Sequence, residues 1–264
     1  MLLIQPRLIY AFLYSGGRSF ARKKVGSKST LYNVETQIPA FFHITDASVH
    51  DSMAMKEIPY ESGSYYIFDR AYNSFKMLYK IHQIEASFVV RAKTNLQYKS
   101  IKWKRRLPKN VLSDLTIELT GFYPSQYYPE RLRLVRYWDE EQEREFVFLT
   151  NAMHISALQV AELYRNRWQV ELFFKWLKQH LKIKKFWGTT ENAVRIQIYV
   201  AICTYCLVTI IQKDMKIDRS IYEVLQILSI SLTDKTHLRD LFDRTKFQND
   251  KDRFRLNEPN LFNF

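Results

Sequence analysis

The chain has 264 residues and carries 40 Lys and Arg against 27 Asp and Glu, a formal charge of +13. Apolar residues make up 47% and aromatics 15%, with 6 Gly and 7 Pro, which excludes a disordered, collagen-like or low-complexity chain. Two cysteines exclude a disulfide scaffold, and the cationic surplus points to a polyanionic partner, either nucleic acid or an acidic membrane surface.

In chain order, the opening MLLIQPRLIYAFLYS is apolar but broken by Pro6 and Arg7 and lacks the basic start of a secretory signal. Residues 29–34 and 40–45 read as strands joined by a turn near 36–39, and Asp46 or Ser48 is placed to cap a short helix over 50–58. SYYIFD, residues 64–69, reads as a buried strand after Gly63. A helix with Phe75, Leu78, Tyr79 and Ile81 on one face comes next, and then a second buried strand, ASFVVRA, over 86–92. That order predicts an α/β domain with a mixed sheet. Between 94 and 150 the texture changes to LTIELTGF, RLRLVRYW and EFVFLTN, whose period-two alternation predicts an inserted antiparallel β region. Helices are expected over 156–182, 191–215 and 222–228, with a charged, loose tail after about 240. The longest uncharged apolar run, 198–211, is short of the roughly 20 residues a membrane span needs and is expected as a buried helix of a cytoplasmic protein, not a membrane anchor.

Two places could carry chemistry. On one continuous helix at about 100° per residue, Tyr164, Arg167, Glu171 and Lys178 share an arc of about 60°. They flank an apolar face made by Leu163, Val170, Phe173, Phe174, Leu177 and Leu181. That arc is either a charged shoulder stitched by i,i+4 pairs such as Arg167–Glu171, or a site. Asp69 ends an apolar strand, where open α/β sheets hold ligands, though on the residues alone a cap for the next helix comes first.

Taken together, these features resemble a family. YRNRWQVELFFKWLK carries Tyr164, Arg167, Glu171 and Lys178 at the spacing Y-(2)-R-(3)-E-(6)-K, the signature of DDE transposases of the bacterial insertion sequence 4 group. HITDASVHD, YIFDRAY and FVVRAKTN are similar to the same family in the same order, and the resemblance is drawn from about Ser29 onward. It implies a ribonuclease-H-like fold whose second and third acids are Asp69 and Glu171. The β-rich insertion accounts for their separation of 102 residues. It further implies Mg²⁺ or Mn²⁺ held by Asp69 and Glu171. Tyr164, Arg167 and Lys178 would lie on DNA phosphates, with transposon terminal repeats and target DNA as partners of a synaptic homodimer. Two-metal phosphoryl transfer needs carboxylates that place ions about 3.5–4 Å apart.

The family's first acid belongs on the first strand, yet residues 1–45 hold no Asp and only Glu35, which is expected at a turn out of reach. Residues 1–28 read unlike the family, as a truncated or out-of-frame start, so the copy is expected to lack a complete catalytic set. The competing reading is a DNA-binding remnant without activity, and a remoter one a structure-specific nuclease on the same fold. The chain divides accordingly into 1–93 and 151–215 for the catalytic domain, 94–150 for the insertion, and 216–264 for a C-terminal helix and tail. Lys99, Lys102, Lys104, Arg105, Arg106 and Lys109 form a solvated loop or a DNA-backbone contact, and the resemblance favours DNA through Lys102, Lys104 and Arg105. His43, Asp46, His50 and Asp51 are expected as caps and strand-end hydrogen bonds, Cys203 and Cys206 as core, and Trp168, Trp176 and Trp187 as core or base-stacking residues.

Overall fold

A computed structural model of the chain describes residues 9–15, 27–45, 55–181, 187–188, 190–231 and 235–242, with the backbone alone for 9–15, 27–29 and 43–45. Two compact units result, Met1–Arg195 and Ile196–Phe264.

The first unit is built on one mixed sheet of nine strands. In chain order these are β1 (Ile9–Ser15), β2 (Ser27–Asn33), β3 (Ile38–Thr45), β4 (Tyr65–Phe68), β5 (Ser87–Arg91), β6 (Tyr98–Trp103), β7 (Val111–Leu119), β8 (Leu132–Asp139) and β9 (Arg144–Thr150). Across the sheet they run β3-β2-β1-β4-β5-β9-β8-β7-β6. The strands β1, β4 and β5 are parallel, while β3-β2-β1 and β5-β9-β8-β7-β6 pair antiparallel.

β4 is apolar throughout and β5 over Phe88–Val90, because both faces of these strands are covered. Side chains alternate across a strand. Tyr66, Phe68, Phe88 and Val90 point to one face, where α1 (Phe75–Gln83) packs Met77, Leu78 and Ile81 on them. Ile67 and Val89 point to the other, against Ala157, Val160 and Tyr164 of α3 (Ala157–Arg165). Each such fully buried side chain contributes about 1.5–3 kcal/mol. A short helix, α2 (Phe122–Tyr127), lies between β7 and β8. The chain enters α3 through a reciprocal cap in which Ser156 Oγ accepts from the Gln159 amide and Gln159 Oε1 from the Ser156 amide.

The structure departs from the sequence expectations at several points. The helix expected over 156–182 is two helices, α3 and α4 (Arg167–His180), broken at Asn166, whose amide donates to Leu163 O. They serve different parts of a twisted sheet. α3 covers β4, β5, β8 and β9, whereas Phe173 and Phe174 of α4 pack on Tyr32 of β2 and Phe42 of β3, ring centroids 5.3 and 6.5 Å apart. A strand over 9–15 occupies the sheet beside β4, so the first strand place is filled. The β-rich segment over 94–150 is antiparallel, and its β9 pairs with β5 and carries the same sheet onward. Of the helix expected over 50–58, residues 55–58 form turns and the remainder lies outside the described residues, as do Asp46, His50, Asp51, the His43 side chain and the tail from 243.

In the second unit, α5 (Glu191–Asp214) supplies Val208, which meets Val224 of α6 (Ile221–Ile230) and Phe242 in an apolar cluster joined by Ile211, Met215, Ile221 and Leu225. Cys203 is exposed and Cys206 half-buried, contrary to the core expectation for both. α5 is long and apolar enough to cross a membrane by length and composition, the one such helix among the described residues, although its Val208 side lies in a protein core.

Candidate functional site

Parallel pairing puts the carboxyl ends of β4 and β5 on the same edge of the sheet. Asp69 follows the last residue of β4, and Arg91 is the last residue of β5, one step beyond the Phe68–Val90 partners. Asp69 does act as a cap: Oδ1 accepts from the Arg70 amide at 2.7 Å at the start of a single 3-10 turn. The same oxygen also accepts from the hydroxyl of Tyr164, 95 residues away in sequence, at 3.3 Å.

From Tyr164 the cluster continues into α4. The Arg167 guanidinium stands 5.7 Å from the centre of the Tyr164 ring and donates to Glu171 Oε1 at 2.5 Å. Thus Asp69, Tyr164, Arg167 and Glu171 form one linked series. Burial works to lower the Arg167 pKa, but the hydrogen bond to Glu171, with the neighbouring Tyr164, Glu171 and Asp69, outweighs it and holds the guanidinium above its ordinary value. Arg167 Nε is buried with no protein acceptor. Burial pushes the Tyr164 phenol up to about 12, and the adjacent Asp69 adds to the shift, so it stays a donor throughout the neutral range.

Asp69, Tyr164 and Arg167 open on a cleft of about 690 Å³ walled also by Arg91, Arg144, Phe146 and Trp168 among others, while Glu171, behind Arg167, does not line it. Phe146 carries two guanidiniums, Arg144 at 4.4 Å and Arg91 at 5.1 Å from its ring centre. Burial pushes the Arg91 pKa down, and the like charges of Arg70 and Arg144 push the same way against Tyr164 and Asp69. Around Arg91, cations therefore prevail over the single carboxylate of Asp69. The other acids of the cleft wall are Asp139 and Glu141; Asp139 Oδ1 is used within the β8–β9 turn, accepting from the Glu141 and Gln142 amides.

Lys178 does not join this cleft. It is exposed in the last turn of α4, seven residues or about 10.5 Å of helix beyond Glu171. The basic cluster on β6 is separate as well. Five strand spacings, about 24 Å, lie between β4 and β6. There Lys102 and Arg105 are exposed, while Lys104 reaches Asp114 at 3.0 Å and Lys109 reaches Glu140 at 3.1 Å. Glu35 sits in the β2–β3 turn at the opposite edge from Asp69. Strand register puts it about 17 Å away along the strands. Trp168 and Trp187 are exposed, and Trp176 packs on His180.

Arg70, Arg91 and Arg144 are the residues that sequence reasoning left out. For Arg91 a signal existed, since FVVRAKTN places it at the end of a strand next to the one ending in Asp69. For Arg144 there was none, because its place depends on β9 pairing with β5.

A sheet ordered 3-2-1-4-5, with an acid at the end of the fourth strand and a second on a helix crossing the first three, defines a ribonuclease-H-like fold. The sequence pattern of the family described as transposase DDE domain matches residues 13–207, and the chain belongs to that family. The match thus reaches back into β1, further than the resemblance drawn from Ser29. A protein of Sinorhizobium fredii named as a transposase, y4zB, is 36% identical over 186 residues, covering 68% of this chain and 51% of that one. One of Geobacillus stearothermophilus, named as the transposase of insertion sequence element IS5377, is 31% identical over 179 residues, covering 67% and 46%. The chain therefore spans about half the length of these relatives. Among solved structures, the piggyBac transposase in a synaptic complex with hairpin DNA superimposes with TM-score 0.53 at 14% identity, covering 96% of this chain and 54% of that one, a likeness of fold.

Proposed function

We propose that this chain is the DNA-engaging core of an insertion-sequence transposase, with Asp69 and Glu171 at the family's second and third acidic positions, and that it grips DNA without cutting it. The observation that carries this reading is the linked series of Asp69, Tyr164, Arg167 and Glu171 beside a cleft where Arg91, Arg144 and Arg167 converge. Guanidiniums match phosphate oxygens in pairs, and the buried, unpartnered Arg167 Nε is a donor that a phosphate would satisfy. Tyr164 and Arg167 hold the backbone at the cleft, and Lys178 continues the track along α4. Lys102 and Arg105, with a lesser part for the Asp114-bound Lys104, meet the duplex further out. The DNA is a transposon end with its terminal repeat, later joined to target DNA, and two copies of the chain act together on it.

The family's chemistry uses divalent metal, Mg²⁺ or Mn²⁺. The donors among the described residues do not fit a two-metal centre. Among the described residues no group of three or more His, Cys, Asp or Glu converges. The β1 sequence, IYAFLYS, brings no carboxylate to the strand beside β4. Glu171 is paired with Arg167, and Asp69 already takes two hydrogen bonds. Each divalent ion needs several oxygen ligands, more than these two carboxylates supply. On this reading 94–150 is an insertion that widens the sheet between the Asp69 and Glu171 parts of the catalytic domain.

Gel-shift titration of a transposon-end duplex across a salt series tests the grip. Affinity is expected to fall steeply with salt, and Arg91→Ala and Arg167→Ala should each reduce the log–log slope by about one. A flat salt response would sink the DNA reading. Incubation with Mg²⁺ or Mn²⁺ tests the rest; strand cleavage that disappears in Asp69→Ala would show the catalytic set to be complete.

A further inference from the structure

A helix that is apolar all round is ordinarily buried all round, and α5 breaks that rule. Its Val194, Ile198, Ala201, Ile202, Tyr205 and Val208 are buried. Yet Ile196, Val200, Leu207 and Ile210 stand 62, 58, 61 and 42% exposed, with Cys203 exposed among them. At about 100° per residue these five positions fall within an arc of about 80°, and they run about 21 Å along the helix. No charged residue occurs from 196 through 212.

The spacing of this stripe is close to symmetric about its middle. Ile196 and Ile210 lie seven residues on either side of Cys203, and Val200 and Leu207 three and four residues away. A stripe that reads the same in both directions is self-complementary across a two-fold axis, the arrangement that closed homodimers use. Antiparallel packing of two α5 helices would seat Ile196 against Ile210 of the other copy, bring Val200 beside its Leu207, and set the two Cys203 residues on the axis. The same packing opposes the two helix dipoles. A lipid surface has no use for such symmetry, and the other side of the helix is already committed to a protein core.

We propose that the exposed face of α5 is a self-association surface, through which two copies of this chain pair by antiparallel α5–α5 contact centred on Cys203. This names a surface for the pairing given under the proposed function, and it is tested without DNA so that the two readings can fail separately. Light scattering of the purified chain at tens of micromolar should give twice the chain mass. Mild oxidation with copper-phenanthroline should give a disulfide-linked dimer, since facing helices 8–10 Å apart bring residues on their two-fold axis close enough to bridge. That cross-link should be lost in Cys203→Ser and kept in Cys206→Ser. Leu207→Lys, at an exposed position, should leave the circular dichroism unchanged and yield monomer where the parent chain is dimeric. A parent chain that is monomeric, a cross-link that runs through Cys206, or a dimer indifferent to Leu207→Lys each overturns the proposal. So does flotation of monomer with phosphatidylcholine–phosphatidylglycerol vesicles, which would assign the stripe to a membrane. Monomeric Leu207→Lys that retains salt-sensitive DNA binding supports this surface and leaves the DNA reading standing.

Discussion

Arg133 is the most buried cation among the described pairs, and replacing it with Met should destabilise the first unit markedly. Its side chain and that of Asp114 are 3 and 4% exposed, joined by two parallel bonds, Nε to Oδ1 and Nη2 to Oδ2, both 2.7 Å. Nη1 also donates to the carbonyls of Ala152 and Ile155, at 3.3 and 2.5 Å, which fastens the segment leading into α3. Removing one partner of a buried pair leaves an uncompensated charge and costs about 3–5 kcal/mol. Lys104 still reaches Asp114, but from a side chain 57% exposed, so the lower end, about 3 kcal/mol, is expected. Set against a total stability of about 5–15 kcal/mol, that is a large fraction, readable as a shift in the urea midpoint. Hydrogen exchange over 157–165 should rise in the same variant, since α3 loses its anchored approach. The double variant Arg133→Met, Asp114→Leu removes both charges and should recover about half of the loss. A single variant costing under about 1 kcal/mol, or a double variant no better than the single, would refute the assignment of this pair as the clamp between β7, β8 and α3.

The same pair sets an acid limit. Burial works to raise the Asp114 pKa, but bonds from Arg133 and Lys104 outweigh it and hold the carboxyl below its usual value. Its contribution is present above about pH 4 and lost as pH falls through the folded value, so acid titration of stability in Arg133→Met should begin at higher pH than in the parent chain. At the alkaline end, Tyr164, with its pKa raised to about 12, stabilises the fold below pH about 10 and loses that contribution as pH rises through 12; Tyr164→Phe should remove this alkaline step from the 295 nm titration at a cost of about 1 kcal/mol. Ser156→Ala deletes one half of the reciprocal cap of α3 and should cost about 1 kcal/mol in the same denaturation assay.

How far each feature was legible in the sequence depends on how local it is. YYIF and FVV announced themselves because strands covered on both faces carry unbroken apolar runs. Tyr164, Arg167 and Glu171 were found by their spacing, and the structure links them to Asp69. Asn166 looked like any polar residue in a helix, and nothing within the segment reports that α3 and α4 rest on different strands. The continuation of the sheet into β9 and β8 was equally hidden, because Thr150 Oγ1 finds Phe88 O across 62 residues. Cys203 was expected as core because α5 is apolar throughout; only tertiary placement decides which of its sides is covered.

The break at Asn166 has a mechanical consequence. Tyr164 and Asp69 are fixed by the packing of α3 on β4 and β5, through rings such as Phe148, 4.7 Å from Tyr164. Arg167 and Glu171 ride on α4, whose seat is Tyr32 and its neighbours. The cluster is therefore a joint between two levers, spanned by the Tyr164–Arg167 ring contact. A change of side-chain volume under Phe173 would swing the ion pair while the phenol and the strand-end carboxylate stay where they are.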